Sequence, residues 1–199
     1  MTQSVELKFW LYKNEMQLLK KFEEISRNSY QSFERMKNDE TTIRFIDMII
    51  EKEHLGILEH EIMTFKIITN RAIANELVRH RIASYVQEST RYVNYVKRQP
   101  AFITGKELDA IDKKTVERMF ETYRRLIEGG KSPEDARDYL PLGLKTTVYA
   151  TMNIRSWFHF LDMRRTPEAH PMMRDLADKI IKEFYLTLPL ITNRMRRNK

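Results

Sequence analysis

Residues 61–82, EIMTFKIITNRAIANELVRHRI, decide how this chain folds. The first part, 61–69, is mostly β-branched and aromatic and reads as a strand. From Arg71 the apolar residues Ile73, Ala74, Leu77 and Val78 fall at helical spacing, which predicts a helix over 71–82. Asn75, Glu76, Arg79 and His80 then share its opposite face. Working upstream, 4–12 (SVELKFWLY) reads as a strand, and Asn14 as the N-cap of a helix to about Arg27 carrying Leu18, Leu19, Phe22 and Ile25 on one stripe. A second helix is expected over 42–53, with Ile43, Ile46, Ile49 and Ile50 inward. Working downstream, 83–95 is polar and aromatic without a clean period and reads as an ordered loop. A helix over 112–128 stops at Gly129-Gly130, and Ser132-Pro133 opens a short one. A strand over 144–152 precedes a helix over 153–163 that buries Ile154, Trp157, Phe158 and Leu161. Pro167 opens a last helix to about Leu186, and NRMRRNK (193–199) is a basic tail. The expected fold is α+β, a single mixed domain over 1–199 with a small sheet flanked by helices.

Composition narrows the chemistry. The chain has 199 residues, 42% of them hydrophobic, and no cysteine. Disulfide scaffolds, thiolate metal sites and a cysteine nucleophile are therefore excluded. The opening residues lack a basic start followed by an apolar run, and no apolar stretch approaches the roughly 20 residues of a membrane span, so a cytoplasmic protein is expected. Thirty-five Lys+Arg against 28 Asp+Glu give a net charge of +7, which favours anionic partners. None of the five glycines forms GxGxxG or GxxxxGK[ST], so a bound dinucleotide must be held by side chains rather than by a glycine-rich loop.

The densest unusual patch is Arg79-His80-Arg81, then seven residues, then Ser89, with Arg91-Tyr92 beyond. Arginine offers a planar fork of donors that matches phosphate oxygens, and the serine hydroxyl adds another. Tyr85 and Tyr92 bring rings suited to stacking. Such a run also suits a solvated basic face. EHLGILEH (53–60) holds His54, Glu59 and His60, but no further spaced ligand pair accompanies them, so no metal site is expected. His60 reads as structural, His170 and the tail arginines Arg194, Arg196 and Arg197 as solvent-facing, and Trp10 and Trp157 as core or interface residues. A nucleic-acid-binding protein is the alternative class, but no helix-turn-helix, zinc-finger or RNA-recognition signature accompanies the charge, so no nucleic-acid partner is expected.

The RHR-seven-Ser pattern resembles the signature of the flavin-dependent thymidylate synthases. The wider stretch NELVRHRIASYVQESTRY (75–92), HLGILEH (54–60) and ARDYLPLGLKTTVYATMNIRSWFHFLDMRR (136–165) are also similar to that family, in the expected order. The resemblance implies a homotetramer with active sites shared between subunits. It implies reductive methylation of dUMP to dTMP, with 5,10-methylenetetrahydrofolate as carbon donor and FAD reduced by NADPH as hydride source. That chemistry uses no cysteine nucleophile, which a chain without cysteine satisfies.

Carried over by position, the resemblance places Arg79, His80 and Arg81 around the flavin, with Arg79 also near the nucleotide, and His54 beside the flavin. Asn153, Arg155 and His159 match later flavin contacts. Gln87, Glu88, Ser89, Thr90 and Arg91 match the loop that holds dUMP, with Ser89 and Arg91 directed at its phosphate. Arg137 and Arg164 match further dUMP contacts, and Arg164 is the candidate for polarising the uracil ring. His54 and Arg164 are thus the candidate catalytic residues. Three features depart from the pattern. His159 stands where an amide is more usual. Glu76 replaces a frequent glutamine next to the nucleotide, where its carboxylate suits a sugar hydroxyl or uracil N3–H. The loop reads VQES rather than NEQS, which exchanges amide and carboxylate at Gln87 and Glu88.

Overall fold

A computed structural model of the chain describes residues 2–98 and 100–197, the side chain of Arg197 excepted. The elements in order are β1 (Ser4–Phe9), α1 (Glu15–Asn28), α2 (Asp39–Glu51), β2 (Ile62–Asn70), α3 (Arg71–Leu77), β3 (Ser84–Gln87), α4 (Ala110–Glu128), α5 (Pro133–Ala136), β4 (Lys145–Asn153), α6 (Ile154–Arg164), α7 (Pro171–Thr187) and α8 (Pro189–Arg197). Short 3-10 turns span Phe33–Arg35, Leu55–His60 and Arg137–Tyr139. The α+β expectation holds: the strands form one sheet in the order β1-β2-β4-β3, and the remaining elements are helices.

The central pair, β2 and β4, is antiparallel. The Ile154 N–H donates to the Glu61 carbonyl at 3.0 Å, the Thr64 and Thr151 hydroxyls meet at 2.8 Å, and the Arg71 N–H donates to the Leu144 carbonyl at 3.0 Å. Each of these strands ends on an asparagine that caps the helix immediately after it. Asn70 Oδ1 accepts from the Ile73 N–H at 2.8 Å, and Asn153 Oδ1 accepts from the Ser156 N–H at 2.8 Å. Such caps contribute about 1 kcal/mol each and let a strand turn into a helix without a linker.

The chain groups into two compact units. One joins Lys66–Ala150 to the N-terminal residues up to Val5, and the other joins Glu6–Phe65 to the stretch from Thr151. β1, β2 and β4 contribute residues to both.

In the first unit, Tyr95, Tyr123, Ala136 and Leu144 form a buried cluster, with Val93, Phe120 and Leu140 packed against it. Asn70 serves this unit twice, since its amide Nδ2 also donates to the Ile103 carbonyl at 2.8 Å. α4 ends on Gly129, as its glycine pair predicts, and Gly130 adopts the left-handed conformation (φ 87°) that glycine accommodates without strain. Ser132 caps α5 with Pro133 at its first position.

The second unit is built on Trp157. Its ring is fully buried, stands edge-on to Phe65 at 5.0 Å and to Phe160 at 5.7 Å, and its Nε1–H donates to the Met63 carbonyl at 3.0 Å. Leu18, Leu19 and Phe22 of α1, Ile46 and Ile50 of α2, and Phe184 of α7 complete the core. Asn14 caps α1 as the sequence predicts.

Several boundaries differ from expectation. β1 stops at Phe9 rather than Tyr12. α2 starts at Asp39 because Asn38 and Thr41 form a reciprocal capping box. The helix expected from Pro167 is α7, which begins after His170, whose Nδ1 accepts from the Met172 N–H at 3.2 Å. Residues 189–197 are helical rather than a simple tail, and Arg194 is bound through two nitrogens to Asp47, so it is paired rather than merely solvent-facing. The side chain of Arg197, and Asn198 and Lys199, lie outside the described residues.

Candidate ligand-binding site

The candidate residues of the first unit lie on one continuous piece of chain. α3 does not run to residue 82 as its apolar spacing predicts; it ends at Leu77. Turn bonds from the Arg79 N–H to the Glu76 carbonyl (3.2 Å) and from the His80 N–H to the Leu77 carbonyl (3.1 Å) unwind it. The Tyr85 hydroxyl sits 2.9 Å from the carbonyls of both Leu77 and His80 and satisfies the helix end. Arg79 and His80 are therefore not on a helix face with Asn75 and Glu76; Arg79, His80 and Arg81 occupy the turn that follows. Burial pushes the Tyr85 phenol up to about 12, so it stays a donor at neutral pH. Arg79 and Arg81 are exposed and His80 is half-buried.

The expected loop over 83–95 contains a strand. β3 pairs at the sheet edge, and the Glu88 N–H, one residue on, donates to the Thr147 carbonyl at 2.9 Å. Gln87 reaches the Thr146 hydroxyl from its amide nitrogen at 3.3 Å. Both carboxylate oxygens of Glu88 are committed: Oε1 accepts from the Tyr95 hydroxyl at 3.0 Å and Oε2 from Lys145 Nζ at 3.1 Å. The Glu88 carbonyl accepts from Arg71 Nη1 at 3.2 Å. Beyond it, the Arg91 N–H donates to Ser89 Oγ (3.2 Å) and the Val93 N–H to the Ser89 carbonyl (3.0 Å), which closes a turn. Thr90 is buried. Burial, then the neighbouring Glu88 charge, raises the Tyr95 phenol far above its ordinary value.

Arg91 projects from this turn, half exposed. Its Nε lies 2.9 Å from Glu134 Oε2, and its guanidinium stands 5.5 Å from the Tyr92 ring centre. Arg137 is exposed on the 3-10 turn after α5. The structure thus brings together Glu88, Ser89, Thr90 and Arg91 with four residues that their sequence positions did not flag: Arg71, Tyr95, Glu134 and Lys145. Lys145 stands 57 positions from Glu88 and is found only through β-pairing.

The candidates of the second unit are His54, Asn153, Arg155, His159 and Arg164. His54 is exposed and precedes the 3-10 turn Leu55–His60. Arg155 is exposed on α6 and forms an ion pair with Glu59. His159 is exposed one turn further along α6, and Arg164 is half-buried at its end. Asn153 spends its side-chain oxygen on capping α6. The main-chain carbonyl of the exposed His60 accepts from Lys21 Nζ at 3.0 Å. An open groove of about 580 Å³ in this unit, lined by Leu7, Trp10, Tyr12, Lys13, Met16 and Leu186 among others, contains none of the candidates. Among the described residues no group of three His, Asp or Glu is arranged to hold a metal ion, and no helix is long and apolar enough to cross a membrane.

Fold and site define an α+β protein that presents guanidinium, imidazole and hydroxyl donors on a turn and a pinned loop, a donor set matched to phosphorylated ligands. The profile of the family described as thymidylate synthase complementing protein matches residues 13–190, and the chain belongs to that family. Similar proteins include the flavin-dependent thymidylate synthase of Thermococcus onnurineus (strain NA1), 34% identical over 162 residues that cover 77% of this chain and 66% of that one. The protein of the same name from Sulfurisphaera tokodaii is 32% identical over 163 residues, covering 79% and 63%. That of Pyrococcus furiosus is 34% identical over 164 residues, covering 78% and 67%. The chain thus spans slightly less than two thirds of the length of the first two of these curated relatives.

Proposed function

We propose that this protein is a flavin-dependent thymidylate synthase that reductively methylates dUMP to dTMP, taking carbon from 5,10-methylenetetrahydrofolate and reducing equivalents from NADPH through FAD. The observation that carries the reading is the Arg79–Arg91 segment, whose cationic turn and hydroxyl-bearing loop lie inside the family match. The name shared by the relatives supports it. On this reading residues 1–199 act as one functional domain, in a cytoplasmic homotetramer.

The residue types suit FAD: Arg79 and Arg81 in the first unit, and Arg155 and His54 in the second, are each exposed and carry guanidinium or imidazole groups of the kind that bind a pyrophosphate and a polar ring edge, so no glycine-rich loop is needed. In the proposed assignment Arg79, His80, Arg81, Asn153, Arg155 and His159 hold the cofactor, with His54 beside its ring. Bound FAD supplies the hydride.

The chain's own residues position and polarise the nucleotide. Ser89 and Arg91 bind the dUMP phosphate, Gln87, Thr90 and Arg137 complete its surroundings with Glu88 in the same loop, and Glu76 accepts a hydrogen bond from the sugar or uracil N3–H. Arg164 places fixed positive charge against the uracil ring, where anionic character develops as the methylene carbon is attached at C5.

The test is the visible spectrum of protein incubated with FAD, before and after anaerobic NADPH in the presence of dUMP, followed by assay of dTMP. A flavin band that bleaches, with dTMP formed when the folate is added, supports the reading. Protein that stays colourless after FAD overturns it, and a salt-sensitive shift of duplex DNA would then assign the basic residues to nucleic acid.

A further inference from the structure

We propose that Glu88 is a positioning residue rather than a dUMP contact: clamped by Tyr95 and Lys145, its carboxylate holds the Ser89–Arg91 turn in the geometry that receives the nucleotide phosphate. The inference rests on the reading of this loop as the dUMP-holding segment.

Four bonds fix Glu88. Its N–H pairs with Thr147, its carbonyl with Arg71, and its two carboxylate oxygens with Tyr95 and Lys145. The side chain is only 15% exposed. Tyr95 is equally immobile: it is buried, its N–H donates to the Tyr123 hydroxyl at 3.2 Å, and its ring meets Tyr123 edge-on at 6.2 Å. The Glu88–Tyr95 bond therefore closes a short loop between two anchored points. Ser89, Thr90 and Arg91 lie inside it, already folded by the two bonds to Ser89.

The residue type follows from the partners. Tyr95 and Lys145 both donate, and only a carboxylate accepts from both with separate oxygens. An uncommitted carboxylate beside a phosphate would repel it; Lys145 offsets that charge. The exchange of amide and carboxylate at positions 87 and 88 thus has a physical account here. Gln87 serves the Thr146 hydroxyl, and the acid at 88 serves the clamp.

The experiment compares wild type, Tyr95→Phe, Glu88→Gln and the double variant, all FAD-loaded, by hydrogen exchange of the 88–95 segment and by dUMP titration of turnover. Either single change is expected to speed exchange at Arg91 and Val93 and to raise the KM for dUMP about tenfold, with kcat falling far less. Because both variants break the Glu88–Tyr95 bond, and Glu88→Gln also removes the charge that faces Lys145, the double variant should be little worse than Glu88→Gln alone. Tyr95→Phe keeps the ring and is the milder variant should Glu88→Gln fold poorly. Unchanged exchange would overturn the clamp. Faster exchange with unchanged dUMP affinity would overturn its positioning role while leaving the proposed activity intact. Additive effects, with Glu88→Gln alone raising KM, would make Glu88 a direct contact. Wild type that neither binds nor converts dUMP would overturn the proposed function itself and the substrate role with it, whereas the exchange data would judge the clamp independently.

Discussion

Arg91 and Glu134 allow two substitutions with opposite expected signs. The guanidinium is half exposed and pairs with Glu134 at 2.9 Å, so a dUMP phosphate has to displace that carboxylate. An exposed pair of this kind is worth about 0.2–1 kcal/mol. A charge-assisted hydrogen bond to a phosphate contributes about 1.5–3 kcal/mol. The difference leaves Arg91 about 1–2 kcal/mol of net binding, so Arg91→Ala should weaken dUMP roughly five- to thirtyfold. Glu134→Gln removes the competitor and nearly keeps the shape, and it should tighten dUMP by up to about fivefold by the same ion-pair figure. Both effects should shrink as salt screens the charges. The assay is dUMP titration of FAD-loaded protein followed by the visible flavin band, with a thermal melt to show that α5 survives the change at its first turn. If Arg91→Ala stayed within twofold of wild type, or Glu134→Gln weakened binding, the phosphate role of Arg91 would be refuted.

Three further outcomes are expected. Glu23 is fully buried, pairs with Arg27 at 2.6 Å and accepts from Thr42, so Glu23→Ala strands a buried cation and should cost about 3–5 kcal/mol in urea unfolding; a loss below 1 kcal/mol would show that Arg27 finds water. Burial alone would raise the Glu61 carboxyl, but hydrogen bonds from Lys21 and Tyr12 outweigh it and hold the group below its ordinary 4.5. Its contribution is then complete above about pH 4.5 and lost as pH falls through the lower folded value, so Glu61→Gln should flatten the acid limb of stability against pH, and an unchanged limb would count against this pair. Tyr85→Phe withdraws the donor that ends α3 ahead of Arg79, and at about 1 kcal/mol it should raise the FAD requirement several-fold in a fluorescence titration. Unchanged FAD affinity would separate that turn from cofactor binding.

Where the signals are local, sequence and structure agree. Asn14, Ser132-Pro133 and Gly129-Gly130 act within one helical turn, and the matching caps and stop are present. Trp157 is in the core because a stripe of large apolar residues leaves a helix one face to bury. The end of α3 was not legible: Val78 continues the helical spacing, and the donor that ends the helix, Tyr85, arrives from β3. β3 itself escaped notice because it is an edge strand whose apolar Val86 is 73% exposed, so its alternation does not mark an inner face. Arg194 reads as solvated charge until α8 sets it against Asp47, 147 residues away.

The order of strands and helices, β3 and α8 excepted, and the donors suited to an anionic ligand were thus determined by the sequence itself, through spacing, capping and residue chemistry. Which of those side chains are free to meet a ligand was decided only by the tertiary structure. Pairing of β3 with β4 brings Lys145 to Glu88, and α5 brings Glu134 to Arg91. Such commitments depend on distances between residues far apart in the chain, and a one-dimensional pattern carries no record of them.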